Sequence, residues 1–112
     1  MRLSIGMLVL LLATLSGCGF GSVQSDHVVT GAVRAPSHNG VRIVMENAPE
    51  PPRFEEIGIV RAQGYGNRAN LDAVLGLLRT EAALMGANGV IRVRIDQGND
   101  AIAAIGTAVY VD

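Results

Sequence analysis

The chain has 112 residues with nine arginines, no lysine and ten Asp or Glu residues, which gives a formal net charge of −1. This balance and an aromatic content of 4 % disfavour nucleic-acid binding, which needs basic surfaces and stacking platforms. The single cysteine excludes an intrachain disulfide and a thiolate metal site, and the length leaves room for one small domain.

The first 17 residues have the pattern of a signal peptide that is removed from the mature chain. Arg2 supplies a positive charge, Ile5 to Leu12 form a short apolar stretch, and Leu15-Ser16-Gly17-Cys18 ends it. This ending resembles the lipobox of bacterial lipoproteins, which implies that Cys18 is the lipidated first residue. A membrane-spanning anchor is disfavoured, because Ile5 to Leu15 is about half of the roughly 20 apolar residues that a span needs. By the same resemblance, Gly19 implies transfer to the outer membrane.

Residues 18–40 are predicted to be the lipidated cysteine and a flexible tether, because they are rich in Gly, Ser, Asn and His. A short strand from Val28 to Val33 is the alternative. Both histidines, His27 and His38, fall in this segment. A flexible segment offers no ordered partners to a metal ion, so we expect no metal site.

Residues 41–112 are predicted to form the folded domain, an α+β fold of β-α-β-β type. One helix packs on a mixed sheet of three to four strands. Apolar runs predict strands at 41–45, 54–63, 90–95 and 101–111. Prolines place a loop at 48–52, and Gly58 predicts either a bulge or a close approach of another backbone.

The predicted helix lies between the second and third of these strands. Asn70 is the expected N-cap, Asp72 lies in the first turn, and Gly86 ends the helix as a left-handed cap. The apolar positions recur with helical spacing and form one stripe of Leu71, Val74, Leu75, Leu78, Ala82 and Met85. Asn88 and Gly89 then turn the chain, and Asn88 is expected to cap the backbone there, with ligand recognition as the alternative.

The strand at 90–95 alternates strictly, so we expect Ile91, Val93 and Ile95 on one face and Arg92 and Arg94 on the other. The helix connection predicts parallel pairing of the strands at 54–63 and 90–95. Both faces of the last strand are apolar, whereas one helix covers one face. The second face is therefore expected to meet the N-terminal strand, another subunit or a protein partner. A domain this small is marginal alone, which favours a homo-oligomer.

Three stretches of the domain resemble a known family. They are Val41-Arg42-Ile43-Val44 with Phe54-x-x-Ile57-Gly58-x-Val60, then Leu78-Arg79-x-x-Ala82-x-x-Met85-x-Ala87-Asn88-x-Val90, and finally Ile105-Gly106-Thr107-Ala108-Val109. They resemble the small outer-membrane lipoproteins of the RcsF and YjeI kind and, more distantly, the YbjQ-type domain. The resemblance implies a β-α-β-β domain at the outer membrane and, for RcsF, the reporting of envelope damage through protein contacts. The disulfides and long proline-rich tether of RcsF are absent here, so redox activation is not carried over.

The residues offer no catalytic arrangement. The mature serines fall in the predicted tether, and Glu55 and Glu56 are adjacent and so point to opposite faces of a strand. The Gly64-x-Gly66-x-x-Ala69 turn with Asp96 resembles a dinucleotide fingerprint, but the domain is too short for that fold. We therefore expect a protein that is not an enzyme and has no cofactor.

Arg92 and Arg94 are the best polar pair of the domain. On one strand face they are expected to contact an anion or a protein partner, with an ordinary solvated face as the alternative. These observations predict a lipid-anchored interaction module at the outer membrane that faces the periplasm. Envelope-stress signalling is the most specific form of this prediction. The alternative function is a small-ligand or metal-binding oligomer of the YbjQ type.

Overall fold

A computed structural model describes residues 21–37 and 40–112 of the chain. One helix packs on a five-stranded mixed sheet, so the fold class is α+β as expected, with one more strand than the sequence predicted. The elements are β1 (Ser22–Val29), β2 (Arg42–Met45), β3 (Glu55–Tyr65), a 3-10 turn (Gly66–Arg68), α1 (Leu71–Leu84), β4 (Gly89–Gln97) and β5 (Ala101–Tyr110).

The strands follow the order β1-β3-β5-β4-β2 across the sheet. The β2–β4 pair is parallel, and the other three pairs are antiparallel. The expected parallel pairing of β3 with β4 is wrong, because β5 lies between them and pairs with both. The physical reason is that β5 is apolar on both faces, which suits a central strand, and a short turn lets it fold back on β4.

The predicted flexible tether is a strand over much of its described length. Ser22 to Val29 form β1, which pairs antiparallel with β3 from Ser22 opposite Tyr65 to Val29 opposite Gly58. The boundary at residue 41 is therefore wrong, since the sheet begins at Ser22. The polar composition concealed this strand, because an edge strand needs main-chain pairing more than apolar side chains. Gly58 lies at both a bulge and a close approach of β1, as expected.

The chain after β1 packs against the end of the helix. The amides of Thr30 and Gly31 both donate to the carbonyl of Ile57, at 2.9 and 2.8 Å. The Arg34 amide then donates to the carbonyl of Met85 at 3.0 Å. Gly86 has φ +82°, which ends the helix as predicted, and a side chain there would collide with Arg34.

The helix begins and ends where the sequence predicts. The Asn70 side chain accepts a hydrogen bond of 2.8 Å from the Ala73 amide, which confirms the N-cap. The helix-side core contains most of the predicted stripe together with residues of the sheet. Its fully buried large side chains include Ile57, Val60, Val74, Leu78, Val90 and Val93. Leu71, which the stripe includes, is exposed.

A bulge in β4 changes the predicted alternation of faces. The register shifts between Ile91 and Arg94, and Arg92 has φ +55°. Val93 remains in the helix-side core, whereas Ile91 is buried on the opposite side of the sheet. The expectation that Ile91 and Val93 share a face is therefore wrong, because one extra residue in a strand reverses the side-chain direction that follows it.

The face of the sheet away from α1 is covered at one end by the chain's own loop. Val44, Ile91 and Val109 form a second buried cluster, and Ala48 and Phe54 pack on it from residues 46–54. The predicted cover by the N-terminal strand is wrong, because β1 extends the sheet at its edge and the loop supplies the apolar contacts. The remainder of this face is open, and we call it the open face.

Candidate functional site

The predicted lipid-attachment residue, Cys18, lies outside the described residues. The described sheet begins four positions later, at Ser22. Among the residues that the structure describes, no helix is long and apolar enough to cross a membrane.

Arg92 and Arg94 lie together on the open face, where both line a shallow cavity of about 240 Å³. Their environments differ. The Nε and Nη2 atoms of Arg92 donate to the two carboxylate oxygens of Glu50, at 2.8 and 3.1 Å. These hydrogen bonds, followed by the attraction of the Glu50 charge, raise the pKa of the Arg92 guanidinium. Arg92 therefore holds the loop of residues 46–54, which we call the proline loop, against β4. The Arg92 charge is balanced within the molecule.

Arg94 keeps an uncompensated charge. Its side chain is exposed and forms no ion pair with any residue in the described part of the chain. Its cross-strand neighbour on β5 is Ile105, which is half-buried. Of the two predicted arginines, Arg94 is thus the one whose guanidinium is available to an anion or to a partner.

Arg61, another arginine on the open face, is also neutralised, in this case by a cross-strand ion pair. Arg61 lies directly opposite Asp26 in the β1–β3 register, and its Nε and Nη2 atoms donate to the two carboxylate oxygens at 3.1 and 2.7 Å. The hydrogen bonds that Arg61 donates to Asp26, followed by the attraction of the Asp26 charge, raise the pKa of Arg61. This pair was not predicted from the sequence, because Asp26 falls within the predicted tether.

Between these charges the open face exposes apolar side chains. Val28 and Ile59 are cross-strand neighbours with 63 % and 40 % of their surfaces exposed. Ile105 lies beside Ile59 in the lining of two cavities on this face. Ile59 was missed because the bulge after Glu56 separates its face from that of Ile57. The irregularity predicted at Gly58 was the sequence feature that could have indicated that Ile59 lies on the open face.

A polar cluster joins β1 to the helix on the other face. Ser25 Oγ donates to Glu81 Oε2 at 2.9 Å, and His27 Nδ1 lies 2.8 Å from Glu81 Oε1. Because the carboxylate stands between the hydroxyl and the imidazole, His27 is not placed to take a proton from Ser25. These contacts hold β1 against α1. Over residues 21–37 and 40–112, no three His, Cys, Asp or Glu residues are grouped to hold a metal ion.

A cavity with a volume of about 510 Å³ lies under the proline loop. Its lining includes Arg42, Val44, Pro49, Glu50, Pro51, Pro52, Asn88, Ile91, Val109 and Val111. The Asn88 side chain there is bonded to both the amide and the carbonyl of Val111. Its predicted structural role is therefore found, but its partner is Val111, which follows β5, and not the adjacent turn. The cavity could not be predicted from the sequence, because distant segments form it.

The glycines of the apparent dinucleotide fingerprint serve the turn. Gly66 has φ +61° and starts the 3-10 turn, and Gly64 packs tightly against the carbonyl of Arg68.

Comparisons of the chain with protein-family models, with curated proteins and with solved structures find no match.

Proposed function

We propose that the chain is a lipoprotein of the outer membrane, anchored through Cys18, whose domain is a protein-interaction module without catalytic activity that faces the periplasm. The lipobox-like Leu15-Ser16-Gly17-Cys18 carries this proposal. Envelope-stress signalling is its most specific form and derives from the resemblance to the RcsF and YjeI lipoproteins.

The position of β1 supports a domain that stays near the bilayer. Ser22, where the described sheet begins, is four positions after Cys18. A chain of four residues spans at most about 14 Å. A partner must therefore bring its binding surface to the outer membrane, since this link is too short for the long reach of an RcsF-like tether.

The open face supports protein contact. It combines the exposed apolar pair Val28 and Ile59 with the uncompensated charge of Arg94. Apolar surface beside an arginine is a composition typical of protein interfaces. The absence of a nucleophile placed beside a base, within the residues described, is the reason that the proposal names binding and not catalysis.

Metabolic labelling with palmitate tests the anchor. In a Gram-negative host, the wild-type chain should incorporate label and sediment with the outer membrane. Cys18→Ser should lose both properties, whereas Ser22→Ala, four residues away, should keep them. A wild-type chain that carries no acyl group and stays soluble would overturn the proposal.

Photo-crosslinking in intact cells tests the module. A photoreactive residue at Ile59, on the open face, should give a discrete protein adduct, whereas one at Leu84, which is more exposed and lies on α1, should not. Equal adducts from both positions would count against a specific open-face contact. For the signalling form, an envelope-stress reporter that responds normally to outer-membrane damage after gene deletion would contradict it.

The cavity of about 510 Å³ favours a second candidate, a small-ligand or metal-binding oligomer of the YbjQ type. Equilibrium dialysis of the purified chain against transition metals separates the two candidates. Stoichiometric metal binding would favour the second, and no metal binding would leave the interaction module.

A further inference from the structure

The cavity under the proline loop has a size and lining suited to a small apolar group. Its volume of about 510 Å³ lies within the range of ligand pockets, roughly 300–1,000 Å³. The aliphatic floor consists of Val44 on β2 and Val111 just after β5, and the fully buried Ile91 and Val109 lie beneath it. Pro49, Pro51 and Pro52 form the facing wall.

The wall is held in place without a ligand. Glu50 forms the two hydrogen bonds with Arg92 described above, and the Arg92 guanidinium lies 5.8 Å from the centroid of the Phe54 ring. The amide of Glu46 donates to the carbonyl of Val93 at 3.1 Å, at the start of the loop. Proline also fixes φ along the wall. A preformed cavity avoids the ordering cost of binding.

The charges around the cavity select the polar group of a ligand. The Glu50 carboxylate already accepts from Arg92 with both oxygens. The Asn88 amide is likewise used, by Val111. Arg42 is exposed and has no ion pair within the described segments of the chain. The uncompensated charge on the lining is therefore positive, and it stands beside an aliphatic floor.

We propose that this cavity binds an aliphatic carboxylate, with the carboxylate on the Arg42 guanidinium and the alkyl part between Val44, Val111 and the proline wall. A guanidinium and a carboxylate form two parallel charge-assisted hydrogen bonds, whereas an amide cannot accept both. The same chemistry is offered by a free carboxylic acid and by the C-terminal residue of a peptide. This inference goes beyond the interaction module and does not depend on the lipid anchor.

Calorimetric titration of the full-length chain in lipid nanodiscs tests the site, with empty nanodiscs subtracted. The probe is 4-methylpentanoate, and its uncharged counterpart is 4-methylpentanamide. We expect the acid to bind at least ten-fold more tightly than the amide. Arg42→Gln should weaken acid binding at least ten-fold, and Arg79→Gln should leave it unchanged. Arg79 is the matched control because it is exposed on α1, across the sheet from the cavity, and also has no ion pair in the described part.

Two further measurements complete the test. Val111→Trp, which fills the cavity, should abolish acid binding while circular dichroism reports an intact fold. A tripeptide Gly-Gly-Leu with a free carboxylate should bind more tightly than 4-methylpentanoate if the source is a protein C-terminus, and no more tightly if it is a free acid. Absence of acid binding, equal affinity for acid and amide, or full binding by Arg42→Gln would overturn the proposal.

Discussion

Asn88 and Val111 are joined by two hydrogen bonds that close one end of the sheet. The Val111 amide donates to Asn88 Oδ1 at 2.7 Å, and Asn88 Nδ2 donates to the Val111 carbonyl at 2.6 Å. One side chain thus satisfies both main-chain groups of the residue that follows β5. Because Asn88 lies in the turn between α1 and β4, these bonds tie the helix connection to the central strand.

Asn88→Ala should lower the free energy of unfolding by about 1–3 kcal/mol, because it leaves a half-buried amide and carbonyl without partners. Urea denaturation followed by circular dichroism measures this loss. Asn99→Ala is the control, since Asn99 is exposed in the β4–β5 turn, and it should change stability by less than about 0.5 kcal/mol. Equal midpoints for the two variants would show that the Val111 contacts contribute nothing.

A chain that begins at residue 41 should fail to fold, because it lacks β1 and the segment bonded to Ile57 and Met85. Each lost hydrogen bond costs about 0.5–1.5 kcal/mol, so losing this whole set removes a large part of the roughly 5–15 kcal/mol that holds a domain folded. A chain that begins at Gly21 keeps every described element and should unfold cooperatively on heating. A cooperative transition in the shorter chain would restore the interpretation of residues 18–40 as a tether.

Gly106→Ala should destabilise the domain by about 1–3 kcal/mol, because a side chain there enters a filled core. Its Cβ would lie 2.6 Å from Val90 Cγ1 and 2.9 Å from Val93 Cγ2. Gly76→Ala is the matched change, since a Cβ at Gly76 meets nothing within 4 Å. In the helix interior that change should stabilise the domain by about 0.5–1 kcal/mol. Thermal midpoints that move in the same direction would contradict this packing argument.

Arg92→Gly should be more stable than Arg92→Ala by about 1 kcal/mol. Both variants lose the bonds to Glu50, so the comparison isolates the backbone, whose φ of +55° favours glycine. Chemical denaturation of the two purified variants measures the difference. If alanine proves equal to glycine, the bulge at Arg92 does not have the left-handed conformation.

Several elements follow from the sequence because their causes are local. The helix was predicted from its N-cap Asn70, its 3.6-residue stripe and its terminator Gly86, all of which act within one turn of the chain. The strand character of β3, β4 and β5 and the irregularity at Gly58 were likewise predicted. The cross-strand partners of these strands were not, because pairing depends on which edges are free once the whole chain has collapsed.

The site shows the same division between local and distant causes. The sequence by itself determined the lipobox-like motif, the fold class and the exposure of Arg92 and Arg94. Only the tertiary structure decided that Glu50 neutralises Arg92 while Arg94 stays uncompensated, since these partners lie 42 residues apart in the chain. The tertiary structure also decided that residues 22–29 form a strand and that prolines form one wall of the cavity. Such contacts join distant segments, and no local propensity specifies them.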